Sequence, residues 1–362
     1  MRERRARRWL GPLVVLESIL LVVGIAAAQE TPAEPDATPP VEINPLLATC
    51  LAAQAPEAAL VDCAAAIASR QLQGEALAAA LYARGMASGR RGDTNGAIND
   101  FSAALNLTPS ATDALFARGS AYAALQRHDL AVTDFDAILA IDPKDADSLY
   151  RRAWSLAVLG RDADAVADLT AVLAEAPQDI DALMDRGGLN IRRGAFDAAL
   201  ADFSAIIKLA ENSAAAYYNR GRVLLLKGNT AAAAADFARA AQDRDNNPYA
   251  ALRGYLATAL AGKPETERLS AALAAFPLEQ WPLPILATLA GSLSEDDLLA
   301  AAAVGERSVA QRLLAEAHFY LGEAALAAAD SKAAQAHFAV AAKGDRNVPE
   351  VIDATWRLKK LP

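Results

Sequence analysis

His318, His337 and Glu316 are the residues of this chain with the clearest capacity for chemistry, since two imidazoles and a carboxylate can ligate zinc. A second set consists of five acid–base pairs: Arg84/Asp100, Arg118/Asp134, Arg152/Asp168, Arg186/Asp202 and Arg220/Asp236. A third is Cys50 with Cys63, the only 2 cysteines. The acid–base pairs recur at a constant step, whereas an active site is singular; periodic pairs of this kind are expected to be interhelical ion pairs. His318 and His337, together with His128, are read as packing and surface residues rather than ligands. No G-x-S-x-G, H-E-x-x-H, P-loop or G-x-G-x-x-G pattern occurs. No catalytic residue, metal ligand or cofactor is therefore expected, and the chain is not read as an enzyme.

The elements that must position these residues are repeats. Arg84, Arg118, Arg152, Arg186 and Arg220 follow one another at a step of 34, each but one preceding a Gly; Ala153 fills that place in the third. Ala97, Ala131, Ala165, Ala199 and Ala233 form a second ladder at the same step, and Phe101, Phe135, Leu169, Phe203 and Phe237 a third. Pro109, Pro143 and Pro177 close the first three units, where a residue without an N–H stops a helix. Each unit is read as two helices joined by a short turn, often marked by Gly, as at Gly92, Gly160, Gly194 and Gly228. The sequence is alanine-rich and contains no half-buried strand alternation, so helix is expected throughout.

A 34-residue helix–turn–helix unit with a small residue at position 8, Ala at 20, an aromatic at 24 and Pro at 32 resembles the tetratricopeptide-repeat (TPR) family. That resemblance implies an all-α, right-handed superhelical solenoid of TPR helix–turn–helix repeats with degenerate terminal repeats. Five full repeats are expected over residues 78–247. A degenerate helical hairpin precedes them at 46–77, where Ala59, Cys63 and Ala66 fall on positions 20, 24 and 27. This register puts Cys50 at position 11, so the two cysteines stand where the two helices of a TPR touch, and a Cys50–Cys63 disulfide is expected. Residues 248–362 are read as degenerate TPR-like helices, with a unit beginning at Arg253-Gly254, one further TPR over 315–348 and a capping helix from about Pro349 to Lys360.

The N-terminus reads as an address. Arg2, Arg4, Arg5, Arg7 and Arg8 precede an apolar stretch from Ser18 to Ala28 that ends in Ala26-Ala27-Ala28, the order of a cleavable signal peptide over 1–28. Residues 29–45, rich in Pro, Glu, Asp and Thr, read as a flexible linker. The chain is thus expected in the periplasm or secreted, and not stably membrane-inserted after cleavage; the alternative is an inner-membrane anchor retained uncleaved. A net charge of −9 disfavours nucleic acid as a partner. Trp281-Pro282, Gly291, Ser294-Glu295 and Glu316 to Gly322 are similar to the C-terminal half of NlpI-like bacterial TPR lipoproteins, although no Cys stands at the cleavage site to take a lipid. This likeness implies an adaptor for a cell-envelope enzyme.

In TPR arrays the first helix of each unit lines the ligand face. Position 5 reads Tyr82, Phe116, Tyr150, Met184 and Tyr218, and nearby ligand-facing positions hold Arg151, Trp154, Asn219 and Arg222. These residues are the expected binding groove, with some of the row serving packing between helices. The function expected is that of a non-catalytic scaffold holding a protein or peptide partner. The rival readings are a metal-binding protein or enzyme built on His318 and His337, and a self-assembling envelope component, of which a homodimer is the simplest case.

Overall fold

The computed structural model describes residues 44–242, 248–275, 277–278 and 280–361. The expected signal segment 1–28 and nearly all of the linker 29–45 lie outside the described residues. Every regular element among the described residues is a helix, and the chain divides into two compact units, one ending at Val172 and the other starting at Leu173.

The first unit opens with α1 (Pro45–Ala52) and α2 (Pro56–Ala68), each beginning on a proline, whose missing N–H costs nothing in a first helical turn. Cys50 and Cys63 join them through a disulfide with Cα atoms 4.5 Å apart, in a small core with Leu47, Ala66 and Leu72. Then come α3 (Gly74–Arg90) and α4 (Thr94–Leu107), α5 (Thr112–Ala124) and α6 (His128–Ile141), α7 (Ala146–Val158) and α8 (Asp162–Glu175), whose last turn contains the division between units. Side chains set several helix starts: Asp93 accepts from the Gly96 N–H at 2.9 Å and Asp145 from the Ser148 N–H at 2.7 Å, each relieving a donor with no partner inside the helix.

The second unit continues with α9 (Ile180–Arg193) and α10 (Phe196–Leu209), then α11 (Ala214–Lys227) and α12 (Thr230–Ala240). Beyond the full repeats lie α13 (Pro248–Leu260), α14 (Thr266–Ala275), and two short helices, α15 (Leu283–Leu289) and α16 (Glu295–Ala302). The last hairpin is α17 (Arg307–Ala327) with α18 (Ser331–Ala341), so its first helix starts before the unit expected at 315, and α19 (Pro349–Leu358) ends the chain. Phe319, Tyr320 and Phe338 form one core with Leu252, Leu256, Leu283 and Leu286.

The periodic residues explain how each hairpin closes. A Cβ placed on Gly85 would lie 2.7 Å from the Phe101 ring, and one on Gly187 2.7 Å from the Phe203 ring, closer than real carbon atoms approach. Position 8 is therefore glycine because position 24 is phenylalanine. The third repeat has the complementary solution, Ala153 opposite Leu169: the methyl group is present and the ring is not, and both residues are buried. Volume is conserved across the contact, as dense packing demands.

Candidate functional site

The five recurring pairs form as bidentate ion pairs between the helices of a hairpin. Arg84 donates from Nε and Nη2 to Asp100 at 2.9 and 2.6 Å, and Arg118, Arg152, Arg186 and Arg220 repeat the geometry with Asp134, Asp168, Asp202 and Asp236. Several also reach back one repeat: Arg118 Nη1 donates to Ser102 Oγ at 3.2 Å, Arg152 Nη1 to Asp136 Oδ1 at 2.5 Å, and Arg220 Nη1 to Ser204 Oγ at 3.3 Å. A guanidinium presents a rigid fork of donors, so one residue can clamp both its own hairpin and the preceding one. These bonds hold Arg152 above the usual guanidinium range, Asp168 contributing most.

The position-5 row is mainly a packing device. Tyr82 lies against Phe101, Phe116 against Phe135 and Tyr218 against Phe237, each with ring centroids 5.7 Å apart. Tyr82 is only 9% exposed; its phenol is pushed up by burial and further by Asp113, with Arg90 opposing. Tyr150 and Met184 are half-buried, and Met184 Sδ accepts from Asn219 Nδ2 at 3.6 Å. The one exposed residue of the expected groove is not in that row but one turn on from Tyr150, on α7. Trp154 is 47% exposed, with Val158 one turn on and Leu159 beside it also exposed, and Arg151 half-buried next to Tyr150. The Trp154 ring meets His128 edge-on at 4.9 Å, and burial holds the His128 imidazole below its ordinary value, Asp129 opposing.

In the second unit one expected groove residue, Arg222, is covered by the chain itself. Arg222 is buried: it donates to Asp353 Oδ1 at 2.9 Å and Oδ2 at 3.2 Å, to the Pro349 carbonyl at 3.3 Å and to Asn219 at 3.0 Å. Arg253, 1% exposed, donates to Asp353 at 2.9 Å and to Glu350 at 2.7 Å, with its guanidinium 5.0 to 5.6 Å from the ring centres of Phe319, Tyr320 and Tyr218. Burial works to raise the Asp353 carboxyl, but Arg222 and Arg253 outweigh it and hold the group below the usual carboxylate range. The reading of Arg222 as part of an open ligand face is thus corrected: it is buried against α19, while Tyr218 and Asn219 beside it are half-buried. The terminal helix was expected to cap the last hairpin; it packs on α17 and α18 but also reaches back to α11.

His318 Nδ1 and His337 Nδ1 lie 3.0 Å apart, the geometry of one N–H donating to the other ring. Burial first, and then His337, keep the His318 imidazole below its ordinary value. Glu295 approaches His337 at the opposite nitrogen, Nε2, at 3.6 Å, so it faces away from the gap between the rings. Glu316 is not with the histidines. Its carboxylate accepts from Trp281 Nε1 at 2.7 Å and Tyr249 OH at 3.1 Å, which ties the segment around Trp281 to α17. Among the described residues no group of three His, Cys, Asp or Glu is placed to hold a metal ion, and no helix is long and apolar enough to cross a membrane.

Sequence reasoning missed Arg253, Glu350, Asp353 and Trp356 as a group. The one available signal was that Glu350, Asp353 and Trp356 recur at helical spacing on one face of a segment that otherwise needs apolar residues to cap a stack.

Comparison with known proteins agrees with the repeat. Residues 82–146, 150–214 and 191–251 match the tetratricopeptide-repeat family, so the chain carries TPRs in both units. No curated protein sequence matches it at a significant level. Among solved structures, a tetratricopeptide repeat protein from Parabacteroides merdae is similar at 18% identity with a TM-score of 0.50, over 77% of this chain and 96% of that one. YrrB, described as a TPR protein with an unusual peptide-binding site, gives a TM-score of 0.47 at 21% identity, over 52% of this chain and 95% of its own. PilF of Pseudomonas aeruginosa gives 0.44 at 18% identity, over 55% and 89%.

Proposed function

We propose that this chain is a non-catalytic scaffold of the bacterial periplasm, and that it holds a protein or peptide segment against the α7 face of its first unit. The repeats are of a type that suits protein–protein interaction. The observation that carries the site is Trp154, the one exposed tryptophan among the described residues, standing at a ligand-facing position with Val158 one turn away. Tryptophan and arginine supply most of the energy of protein interfaces, and Arg151 and Tyr150 adjoin it on the same helix. Contact with His128 fixes one edge of the ring, so less side-chain freedom is lost on binding. A periplasmic setting is supported by the signal-like N-terminus and by the Cys50–Cys63 bridge, since disulfides persist in oxidising compartments.

The partner class proposed is an envelope enzyme, by the likeness of residues 281–322 to NlpI-like lipoproteins. The experiment is affinity capture from envelope extract with the parent and with Trp154→Ala/Arg151→Ala, read by quantitative mass spectrometry. A specific partner should fall at least about tenfold in the variant, equivalent to about 1.4 kcal/mol. A variant that keeps its helicity and captures the same proteins at parental yield removes this face as the site.

A further inference from the structure

The α19 helix touches the second unit through groups that read charge and shape, not merely by covering apolar surface. Its first turns bring Glu350 and Asp353, both nearly fully buried, against Arg222 and Arg253. Two turns after Glu350, the Trp356 indole N–H donates to the Ile191 carbonyl at 3.0 Å, in the last turn of α9. Lys360 Nζ donates to the Leu226 carbonyl, in the last turn of α11. The C-terminal ends of α9 and α11 thus offer two carbonyls at the negative poles of their helices, and an N–H and an ammonium meet them. The acidic end of α19 lies on arginines and its donor end on helix C-termini, so the complementarity runs along its whole length.

The slot for the tryptophan is built to its shape. Gly194 ends α9 with φ +75°, and a Cβ there would lie 2.4 Å from the Trp356 ring, so only glycine leaves the room. Phe196 closes the other side, its ring meeting the indole edge-on at 5.3 Å. A helix kept solely as a lid would gain more from apolar residues on this face, because burying ion pairs costs much of what the pairing returns. What such pairs supply best is discrimination between right and wrong partners.

We infer that the groove formed by α9, α11, α13 and α17 is a helix-recognition site, and that α19 is its resident, exchangeable occupant. The partner it fits is an amphipathic helix with carboxylates at i and i+3, a tryptophan at i+6 and a lysine at i+10, the pattern of Glu350, Asp353, Trp356 and Lys360. This goes beyond the scaffold reading above, which concerns another face and is tested by other residues. A partner helix of that pattern competes with α19 for the groove, and a covalent tether of only the residues between Ala341 and Pro349 sets the concentration against which it competes.

The test uses the full chain with a protease site inserted between Gly344 and Asp345. After cutting, a fluorescent peptide with the sequence of residues 348–361 is added in excess and the mixture is resolved by size-exclusion chromatography. The labelled peptide should enter the cut protein as the original segment leaves, and should be excluded from the uncut parent. Peptides carrying Asp353→Asn or Trp356→Ala should compete at least about tenfold more weakly. An uncut chain carrying Asp353→Asn with Trp356→Ala should admit the unaltered peptide, which gives a second reading independent of cutting. The inference is overturned if the cut segment stays in place without exchange, if cutting unfolds the second unit, or if unaltered and altered peptides enter equally.

Discussion

Arg222 and Asp353 form a bidentate pair across 131 residues of sequence, with contacts of 2.9 and 3.2 Å, in a repeat architecture whose other recurrent ion pairs span only 16. Both partners are buried. That pair ties the first helix of the fifth repeat to α19.

Asp353 gives this contact a dependence on acid. Its carboxyl is held below the value of an unfolded aspartate, so its contribution is complete above about pH 4 and is lost as pH falls below that and through the folded value. Hydrogen exchange over residues 349–358 should therefore accelerate in acid before exchange in α4 or α6 does. The Asp353→Asn chain should show weaker protection of the same segment at neutral pH and little further change down to that range.

Gly187 and Phe203 test the packing rule of the hairpins. Gly187→Ala should destabilise the protein by about 1–3 kcal/mol in urea denaturation, the usual cost of overpacking, because its methyl group would meet the Phe203 ring at 2.7 Å. Adding Phe203→Leu reproduces the Ala153/Leu169 combination of the third repeat and should recover part of the loss. Simple additivity of the two single effects would mean that the ring and the glycine are not in conflict.

Arg152 differs from Arg118 in what it leaves behind. Arg152→Met abandons two carboxylates, Asp168 and Asp136, whereas Arg118→Met abandons Asp134 and the neutral Ser102. Each should cost about 1–3 kcal/mol through the unpaired buried aspartate, and Arg152→Met should cost more of the two. Chemical denaturation of both variants at matched salt decides the order.

His318 predicts sensitivity to mild acid in the last hairpin. Its folded value lies below the ordinary value of about 6.5, so the stability it contributes is present above that pH and is lost as pH falls toward the folded value. Denaturation midpoints of the parent should drop between pH 7.5 and 5.5, and His318→Gln should reduce that drop. The facing groups that shape the response are His337 and Glu295.

Much of the fold was legible because a repeat writes the same constraint five times. Arg at position 7 with Asp at 23, and Gly at 8 with Phe at 24, each specify a contact inside one hairpin, so spacing alone identified the partners. The candidate site was less legible for the opposite reason. Arg222 stands at a position expected to face a ligand; it meets a helix of its own chain there, and nothing near Arg222 indicates that the helix begins at Pro349. Glu316 was grouped with His318 by proximity in sequence, yet a helix turns residues two apart to different sides, and Glu316 faces Trp281 instead. The aromatic row at position 5 reads equally as groove or as packing because the pattern records which helix face a residue occupies, not how deeply the neighbouring hairpin covers it.

The return of α19 onto α9 and α11 has a consequence for the order in which the molecule is made. Stacked hairpins depend on near neighbours and can form as the chain emerges from the N-terminal end. The groove of the fourth and fifth repeats cannot be filled from within until the last dozen or so residues exist, more than a hundred positions later. Until residues 349–361 fold back, Arg222 and the slot at Gly194 stand uncovered in every newly folding molecule, and in that interval the groove is open to any helix that fits it.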